Sequence, residues 1–369
     1  MRVLLTGGAG FIGSNHARHL TRQHPDWTIV VLDALTYAGD RANLADLLEG
    51  DRVRLVPGRI EDRELVGRLM DGVDAVVHLA AETHVDRSID DPAPFVTTNV
   101  LGTQVLLEAA RRAGVGRFVH VSTDEVYGTL GPVGTFTETS PLRPRSPYAA
   151  SKAGGDLLVQ AYARTYDLPA VLVRPSNTYG PRQFPEKLLP VLITNALEDR
   201  PLPVYGDGRH VRDWLWVEDL CRGLDAALLK GQPGDIINLG ASQERTNLEV
   251  ARRVLELLGK PPTLIAFVAD RPGHDFRYAL DSSLARERLG WQAEVPFEQG
   301  LERLIAWCRE NPQWWEARKR HADRFTTGFW TAAAPPSQRA AVGSAAQALG
   351  GQEGHPRISG GTADGAADL

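Results

Sequence analysis

The sequence predicts an α/β fold built on a doubly wound parallel sheet, followed by a smaller second domain. Three observations carry that prediction. Short apolar runs of strand length alternate with helix-like segments through the first half of the chain. The runs are continuously apolar rather than alternating, which implies strands buried on both faces, hence a parallel sheet covered by helices. A glycine-rich turn, Thr6-Gly7-Gly8-Ala9-Gly10-Phe11-Ile12-Gly13, joins the first run to the first helical segment.

In chain order, the strand-like runs are 3–5, 28–32, 53–56, 75–79, 118–121 and 170–173, with helix-like segments at 12–21, 63–70 and 98–112. From about Asn177 the pattern loosens. Proline-rich connections fall at 181–190 and 201–203, and helices are expected near 187–197 and 248–258. Residues 1–176 are therefore expected to form the first domain and 177–330 most of the second, with exchange of segments between them allowed. Beyond Trp330 the chain turns to Ala, Gly, Pro, Ser and Gln, too poor in large apolar side chains to repay the entropy of ordering, so 331–369 is expected to be a disordered tail.

A chain of 369 residues with 43% hydrophobic content can bury a large core. Its formal net charge of −5 and the absence of a Lys/Arg block give no electrostatic support to a nucleic-acid or membrane-surface partner. Cys221 and Cys308 match neither a metal-ligand spacing nor a disulfide framework, so no metal and a reducing, cytoplasmic setting are expected. Met1-Arg2 leads straight into the first strand with no leader pattern, and no run approaches the ~18 apolar residues of a spanning helix.

The glycine turn follows a strand and opens a helix, leaving backbone N–H groups free to hold a pyrophosphate at the positive helix end. Asp33 ends the second strand 20 residues after Gly13. A carboxylate there accepts hydrogen bonds from a ribose diol and repels a 2′-phosphate, so the pair predicts a Rossmann-type dinucleotide site with NAD favoured over NADP. Tyr148 and Lys152 are spaced to share a helix face, with Ser146-Pro147 as N-cap and first helical residue. The lysine's charge is expected to lower the tyrosine's pKa and make a phenolate base available. Ser122-Thr123-Asp124-Glu125-Val126-Tyr127-Gly128 adds two neighbouring carboxylates, more acid–base equipment than a simple dehydrogenase needs. Neighbouring strand residues point to opposite faces, so both can serve one substrate only if the chain bends where the strand ends. Each motif alone also fits a plain glycine turn, an ordinary amphipathic helix or two solvated acids; their combination favours chemistry.

Together these residues resemble an extended short-chain dehydrogenase/reductase and, within that group, the dTDP-glucose 4,6-dehydratase family. The matching segments include 33–39, 78–89, 122–128, 176–181, 184–188, 205–208, 211–214 and 270–275. The resemblance implies that Tyr148, aided by Lys152 and Thr123, removes the O4 proton of a nucleotide-diphosphate hexose while the C4 hydride passes to NAD. The resulting ketone acidifies C5, Glu125 takes the C5 proton, Asp124 protonates the departing O6, and the hydride returns to C6. Asp124 must then hold a proton near pH 7, through desolvation or its neighbour's charge. The resemblance also implies cofactor contacts from Gly7, Gly10, Phe11, Ile12, Gly13, Asp33, Thr36, Ile60, Ala80, Ala81, Thr98, Tyr148 and Lys152. Thr83 and Asn177 are expected near the hexose. Lys187, Arg212 and Arg271 are expected near the diphosphate or nucleotide, with Leu188, Asn247 and His274 completing that site. A homodimer through helices near 98–112 and 148–166 is implied as well.

His84 and His274 equally suit satisfied structural histidines and receive no catalytic role. Trp214 and Trp216 read as packing residues, and Asp219 as structural. At Gly58-Arg59-Ile60-Glu61-Asp62, Arg59 replaces the family's adenine-contacting aspartate; Arg59 stacking on adenine, Arg59 in solvent and compensation by Asp62 are the readings open, and accommodation of a 2′-phosphate by Arg59 is a further one that Asp33 argues against. Thr178 stands where a second Asn is frequent, which bears on sugar selectivity. Other functions stay open too: a dehydratase for another nucleotide sugar, including a 5,6-dehydrating one, a nucleotide-sugar 4-epimerase, a UDP-glucuronate decarboxylase, or a cofactor-binding scaffold of the same fold.

Overall fold

A computed structural model describes residues 1–333. Its strands are β1 (Arg2–Thr6), β2 (Thr28–Asp33), β3 (Val53–Pro57), β4 (Ala75–His78), β5 (Arg117–Val121), β6 (Ala170–Pro175), β7 (Asn177–Tyr179), β8 (Leu202–Tyr205), β9 (Val211–Trp216), β10 (Ile236–Leu239), β11 (Glu244–Thr246) and β12 (Ile265–Val268). Its helices are α1 (Phe11–Gln23), α2 (Arg63–Leu69), α3 (Val85–Asp90), α4 (Ala93–Val96), α5 (Thr103–Ala113), α6 (Pro147–Tyr166), α7 (Leu188–Leu197), α8 (Val217–Lys230), α9 (Asn247–Leu258), α10 (Ser283–Leu289), α11 (Phe297–Glu310) and α12 (Pro312–Ala333).

Seven strands form the central sheet in the order β10-β6-β5-β4-β1-β2-β3, every pairing parallel. The continuous apolar runs have the expected cause. Val3, Leu5, Ile29 and Val31 enter the core on one face, while Leu4, Val30 and Leu32 enter the core on the other. Each such side chain contributes about 1.5–3 kcal/mol on burial, and alternate residues serve opposite layers. The strand order reverses direction between β1 and β4, which is where doubly wound sheets bind ligands, outside the carboxyl ends of their strands.

The sequence-based division at residue 176 is crossed. After β7 and β9 have left for a three-stranded sheet with β11, helix α8 returns to pack on α1, and β10 pairs with β6. The second unit closes around Leu192, Ile193, Trp214, Trp216, Val254, Phe297 and Leu301, with β8 and β12 paired at its side. Both tryptophans are thus packing residues, although Trp214 also reaches a cavity wall. Asp219 is structural: its carboxylate accepts from the Glu294 and Val295 amides, both at 2.9 Å. Helix α12 includes residues 331–333, the start of the expected tail; the rest of that tail lies outside the described residues. Among the described residues no helix is long and apolar enough to cross a membrane.

Candidate active site

Two adjoining cavities, of about 300 and 180 Å³, open at the carboxyl ends of the central strands. The first runs along the segments that follow β1 to β6, and the second lies between it and the second unit. Thr83, Glu125, Asn177 and Lys187 line both, so the cavities meet at these side chains. Every residue expected to touch the cofactor lines the first cavity except Lys152, and every residue expected to bind substrate lines the second.

The glycine loop is built for close approach. Gly7 has φ +69°, and a Cβ there would lie 2.6 Å from the Ala80 amide nitrogen. A Cβ on Gly13 would sit 2.2 Å from the Gly7 carbonyl oxygen, so α1 and the loop touch backbone to backbone. Gly10 caps α1 without a side-chain bond, leaving the helix N-terminus open toward the cavity. Asp33 is fixed by the Ala9 and Leu35 amides, each at 2.8 Å, one on either carboxylate oxygen. Burial raises its pKa and those amides pull it back; each oxygen keeps a lone pair for a ribose hydroxyl. These features fit a dinucleotide.

At the far end of this cavity, Asp62 does not compensate for Arg59. Its carboxylate caps α2, accepting from the Glu64 and Leu65 amides, and it lies off the cavity. Glu61 lines the wall instead, accepts from Thr98 Oγ1 at 2.8 Å, and has Arg59 Nη1 3.7 Å away. Thr98 gets there because the expected helix over 98–112 begins as a π-helical stretch, Thr97–Gly102. Such wide turns recur at functional sites, and here the adjacent Asn99 bonds the Glu82 backbone and Ser151 Oγ.

The required bend follows β5. Thr123 is extended, and Asp124–Tyr127 form a 3₁₀ turn that brings Asp124 and Glu125 together onto the first cavity. Asp124 is buried, takes a bond from Thr123 Oγ1 at 3.2 Å on Oδ1, and leaves Oδ2 without a protein partner. Burial first, then the charge of Glu125, push its pKa well above the usual carboxylate range. Glu125 is also raised by burial, but Arg271, Arg212 and Lys187 oppose the shift. Burial therefore raises both acids, and the cations around Glu125 oppose the rise more than those around Asp124.

Tyr148 and Lys152 lie on α6 behind Ser146, which caps it as expected. The tyrosine's pKa, however, is raised rather than lowered. Its phenol is buried beside Glu125, and both effects outweigh the hydrogen bond from Thr123. Lys152 is buried below the cavity and donates to the Val121 carbonyl at 2.8 Å.

In the second cavity, Lys187 donates to the Thr83 carbonyl at 2.9 Å, and the Asn177 and Asn247 side-chain oxygens are buried without protein partners. Arg271 Nη1 reaches Asp86 Oδ1 at 3.3 Å, and Tyr205 donates to Asp86 Oδ2 at 2.8 Å. Arg212 spends its donors on the Val211, Asp275 and Phe276 carbonyls and lies over the Tyr278 ring. His274 is stacked on His210, centroids 3.7 Å apart, and bonded to Asp270 at 2.6 Å. Face-to-face rings aim their lone pairs in parallel, and Arg212 and Arg271 act on His274 electrostatically, so this cluster suits a fixed ring pair better than a cation. His84 caps α3. The sequence reading gave no role to Asp86, Glu61 or Glu186, whose Oε2 takes a 3.0 Å bond from Arg87. Asp86 and Glu186 sit inside matching segments, a signal that was present.

The family model for GDP-mannose 4,6 dehydratase matches residues 4–304. The chain is 49% identical to a dTDP-glucose 4,6-dehydratase of Streptomyces niveus over 86% of its own length and 96% of the relative's. It is 52% identical to the low-salt glycan biosynthesis protein Agl12 of Haloferax volcanii, over 83% and 97%. The crystal structure of the dTDP-glucose 4,6-dehydratase DesIV from Streptomyces venezuelae, with NAD bound, superposes with a TM-score of 0.85 at 51% identity, covering 86% of this chain and 100% of that one. A UDP-glucose 4-epimerase from Thermotoga maritima is similar at a TM-score of 0.78 and 31% identity, over 85% and 100%. With these matches on the page beside its own glycine loop, Tyr148, Lys152 and paired carboxylates, the chain belongs to the GDP-mannose 4,6 dehydratase family, beside the dTDP-glucose 4,6-dehydratases and within the extended short-chain dehydrogenase/reductases.

Proposed function

We propose that the protein converts dTDP-glucose to dTDP-4-keto-6-deoxyglucose, using NAD as a cofactor restored in each cycle. The observation that carries this reading is the Asp124–Glu125 turn at the junction of the two cavities, one acid pushed strongly toward its protonated form by burial and its neighbour, the other balanced by three cations. NAD, when bound, supplies a hydride acceptor at C4 and a hydride donor at C6. The glycine loop, the open end of α1 and Asp33 would hold its pyrophosphate and ribose.

Tyr148 takes the O4 proton as its phenolate while C4 is oxidised; burial and Glu125 oppose that ionisation, and the Thr123 hydroxyl and the Lys152 ammonium one turn along the helix favour it. Glu125 then takes the C5 proton, now α to a ketone. Asp124 donates its proton to O6, and water leaves with both electrons of the C6–O6 bond. Glu125 returns a proton to C5 as C6 is reduced. Lys187, Arg212 and Arg271 supply positive charge for the diphosphate, and the partnerless oxygens of Asn177 and Asn247 are free to accept from hydroxyl or N–H groups of the nucleotide sugar. An epimerase or decarboxylase needs the C4 oxidation but not the acid pair, which favours the dehydratase reading. We also infer a homodimer and a cytoplasmic setting; the latter is supported by two buried free cysteines and a nucleotide-sugar substrate.

Incubating the purified protein with a panel of nucleotide hexoses should give loss of one water from dTDP-glucose by mass spectrometry, with no external oxidant or reductant once the site is loaded. Dehydration of another nucleotide hexose in preference would overturn the substrate assignment. Stoichiometric reduced nicotinamide in solution would overturn the closed redox cycle.

A further inference from the structure

Beneath the acid–base groups lies a buried polar network that the chemistry above leaves unused. Asp156 sits on α6 one turn beyond Lys152, on the same helix face, and is fully buried. Its Oδ2 accepts from Arg174 Nε of β6 at 2.9 Å, and His120 Nε2 of β5 stands 3.5 Å from Oδ1. Arg174 also donates through Nη1 to Tyr127 Oη at 2.8 Å, and Tyr127 donates to Asn238 Oδ1 at 2.8 Å. Tyr127 belongs to the same 3₁₀ turn as Asp124 and Glu125. The bonds therefore run from the helix of Tyr148 and Lys152, through β6, to the turn of the carboxylate pair. Neither Asp156 nor Arg174 lines a cavity. A buried ion pair is weak evidence for stability, because apolar groups of similar shape often do as well.

We propose that Asp156 is a positioning residue: its carboxylate keeps the buried ammonium of Lys152 charged, and Arg174 and Tyr127 tie its helix to the turn that bears Asp124 and Glu125. The surroundings of Lys152 support this. Burial pulls the lysine's pKa down to about 8, and Asp156 is the charge that opposes the fall. The other titratable groups on this side are His78 of β4 and His120 of β5, both kept neutral by burial, and the phenol of Tyr148 on α6 itself. With the phenol protonated, none of these offers a negative charge. Asp156 stays ionised despite its burial because His120 and Arg174 hold its pKa low.

The proposal rests on reading Tyr148 and Lys152 as the C4 oxidation pair, so its test uses a measurement that needs no turnover. The chain has five lysines, and isotope-labelled lysine therefore gives few resonances, with Lys152 identified by its loss in Lys152→Arg. In the holoenzyme the Lys152 midpoint should fall by about one unit in Asp156→Asn, a tenfold change in ionisation. It should also move in Arg174→Gln, upward where the freed carboxylate stays ionised and downward where it takes up a proton. With dTDP-glucose, Asp156→Asn should transfer hydride about fivefold more slowly near pH 8, approaching about tenfold above pH 9, at unchanged KM, since Asp156 lines neither cavity. Coincident lysine titrations in wild type and Asp156→Asn overturn the proposal. Should Asp156→Asn not fold, Arg174→Gln decides, and an unmoved midpoint there overturns it equally. A wild type that leaves dTDP-glucose unchanged counts against the functional reading, while the lysine titration still decides the role of Asp156.

Discussion

Glu125 and Asp124 are neighbours to which we assign opposite tasks, and their surroundings already separate them. Asp124 has a buried, partnerless Oδ2 and only Arg212 among the cations opposing its rise, whereas Glu125 is balanced by Arg271, Arg212 and Lys187. Glu125→Gln should therefore spare oxidation at C4 but block loss of water, leaving a 4-keto hexose with bound reduced nicotinamide. Loss of one such group costs about 10²–10⁴-fold. Tyr148→Phe should suppress the first step, so neither nicotinamide absorbance nor deuterium exchange at C5 develops. Single-turnover absorbance beside deuterium incorporation reads both; dehydration by Glu125→Gln at the wild-type rate would return the epimerase or decarboxylase reading to contention. Residue identity and spacing made these groups legible, but their protonation was only half legible. The sequence placed a lysine near the tyrosine; it did not contain the burial and the Glu125 charge that push the phenol the other way. Similarly, Glu61 rather than Asp62 faces the cavity, because which of two adjacent acids caps a helix depends on where the helix starts.

The first βα turn sets the tightest constraint at the level of elements. Its backbone contacts leave no volume for a side chain at Gly13, and overpacking of this kind costs about 1–3 kcal/mol. Gly13→Ala is expected to purify with little bound NAD and a lower melting temperature, checked by cofactor content per chain and by thermal unfolding. Full NAD occupancy in that variant would remove the loop from the cofactor site. Six strands of the central sheet were legible because their runs are mostly apolar and, apart from the edge strand β3, buried on both faces. The seventh was not. Ile236-Ile237-Asn238-Leu239 is only four residues long and interrupted by a polar residue, whose side chain is buried against Tyr127 Oη and the Phe136 carbonyl. The π-helical start before α5 was equally hidden, since 98–112 carries the periodicity of one continuous helix while the backbone widens at Thr97–Gly102.

For the whole molecule, the dimer inference and the site belong to one argument. Helix α6 is buried on the face that carries Tyr148, Lys152 and Asp156, yet Leu157 and Tyr166 are 58% and 51% exposed on it. Val96 and Leu101, 55% and 44% exposed, add apolar surface on the segment preceding α5, and α5 packs against α6. An apolar patch on two adjoining helices suits a self-complementary two-fold contact, which needs about 1,200–2,000 Å² in total. The partner would then brace α6 from behind and hold the acid–base pair against the cavity. Wild type should sediment as a dimer at micromolar concentrations, and Leu101→Glu combined with Leu157→Glu should shift it to monomer, because each charge must be desolvated to close the contact. The monomeric variant should also lose turnover, although neither substitution touches a cavity. A wild type that stays monomeric at every concentration removes the dimer, and a monomeric variant with full activity removes the bracing of α6 by its partner.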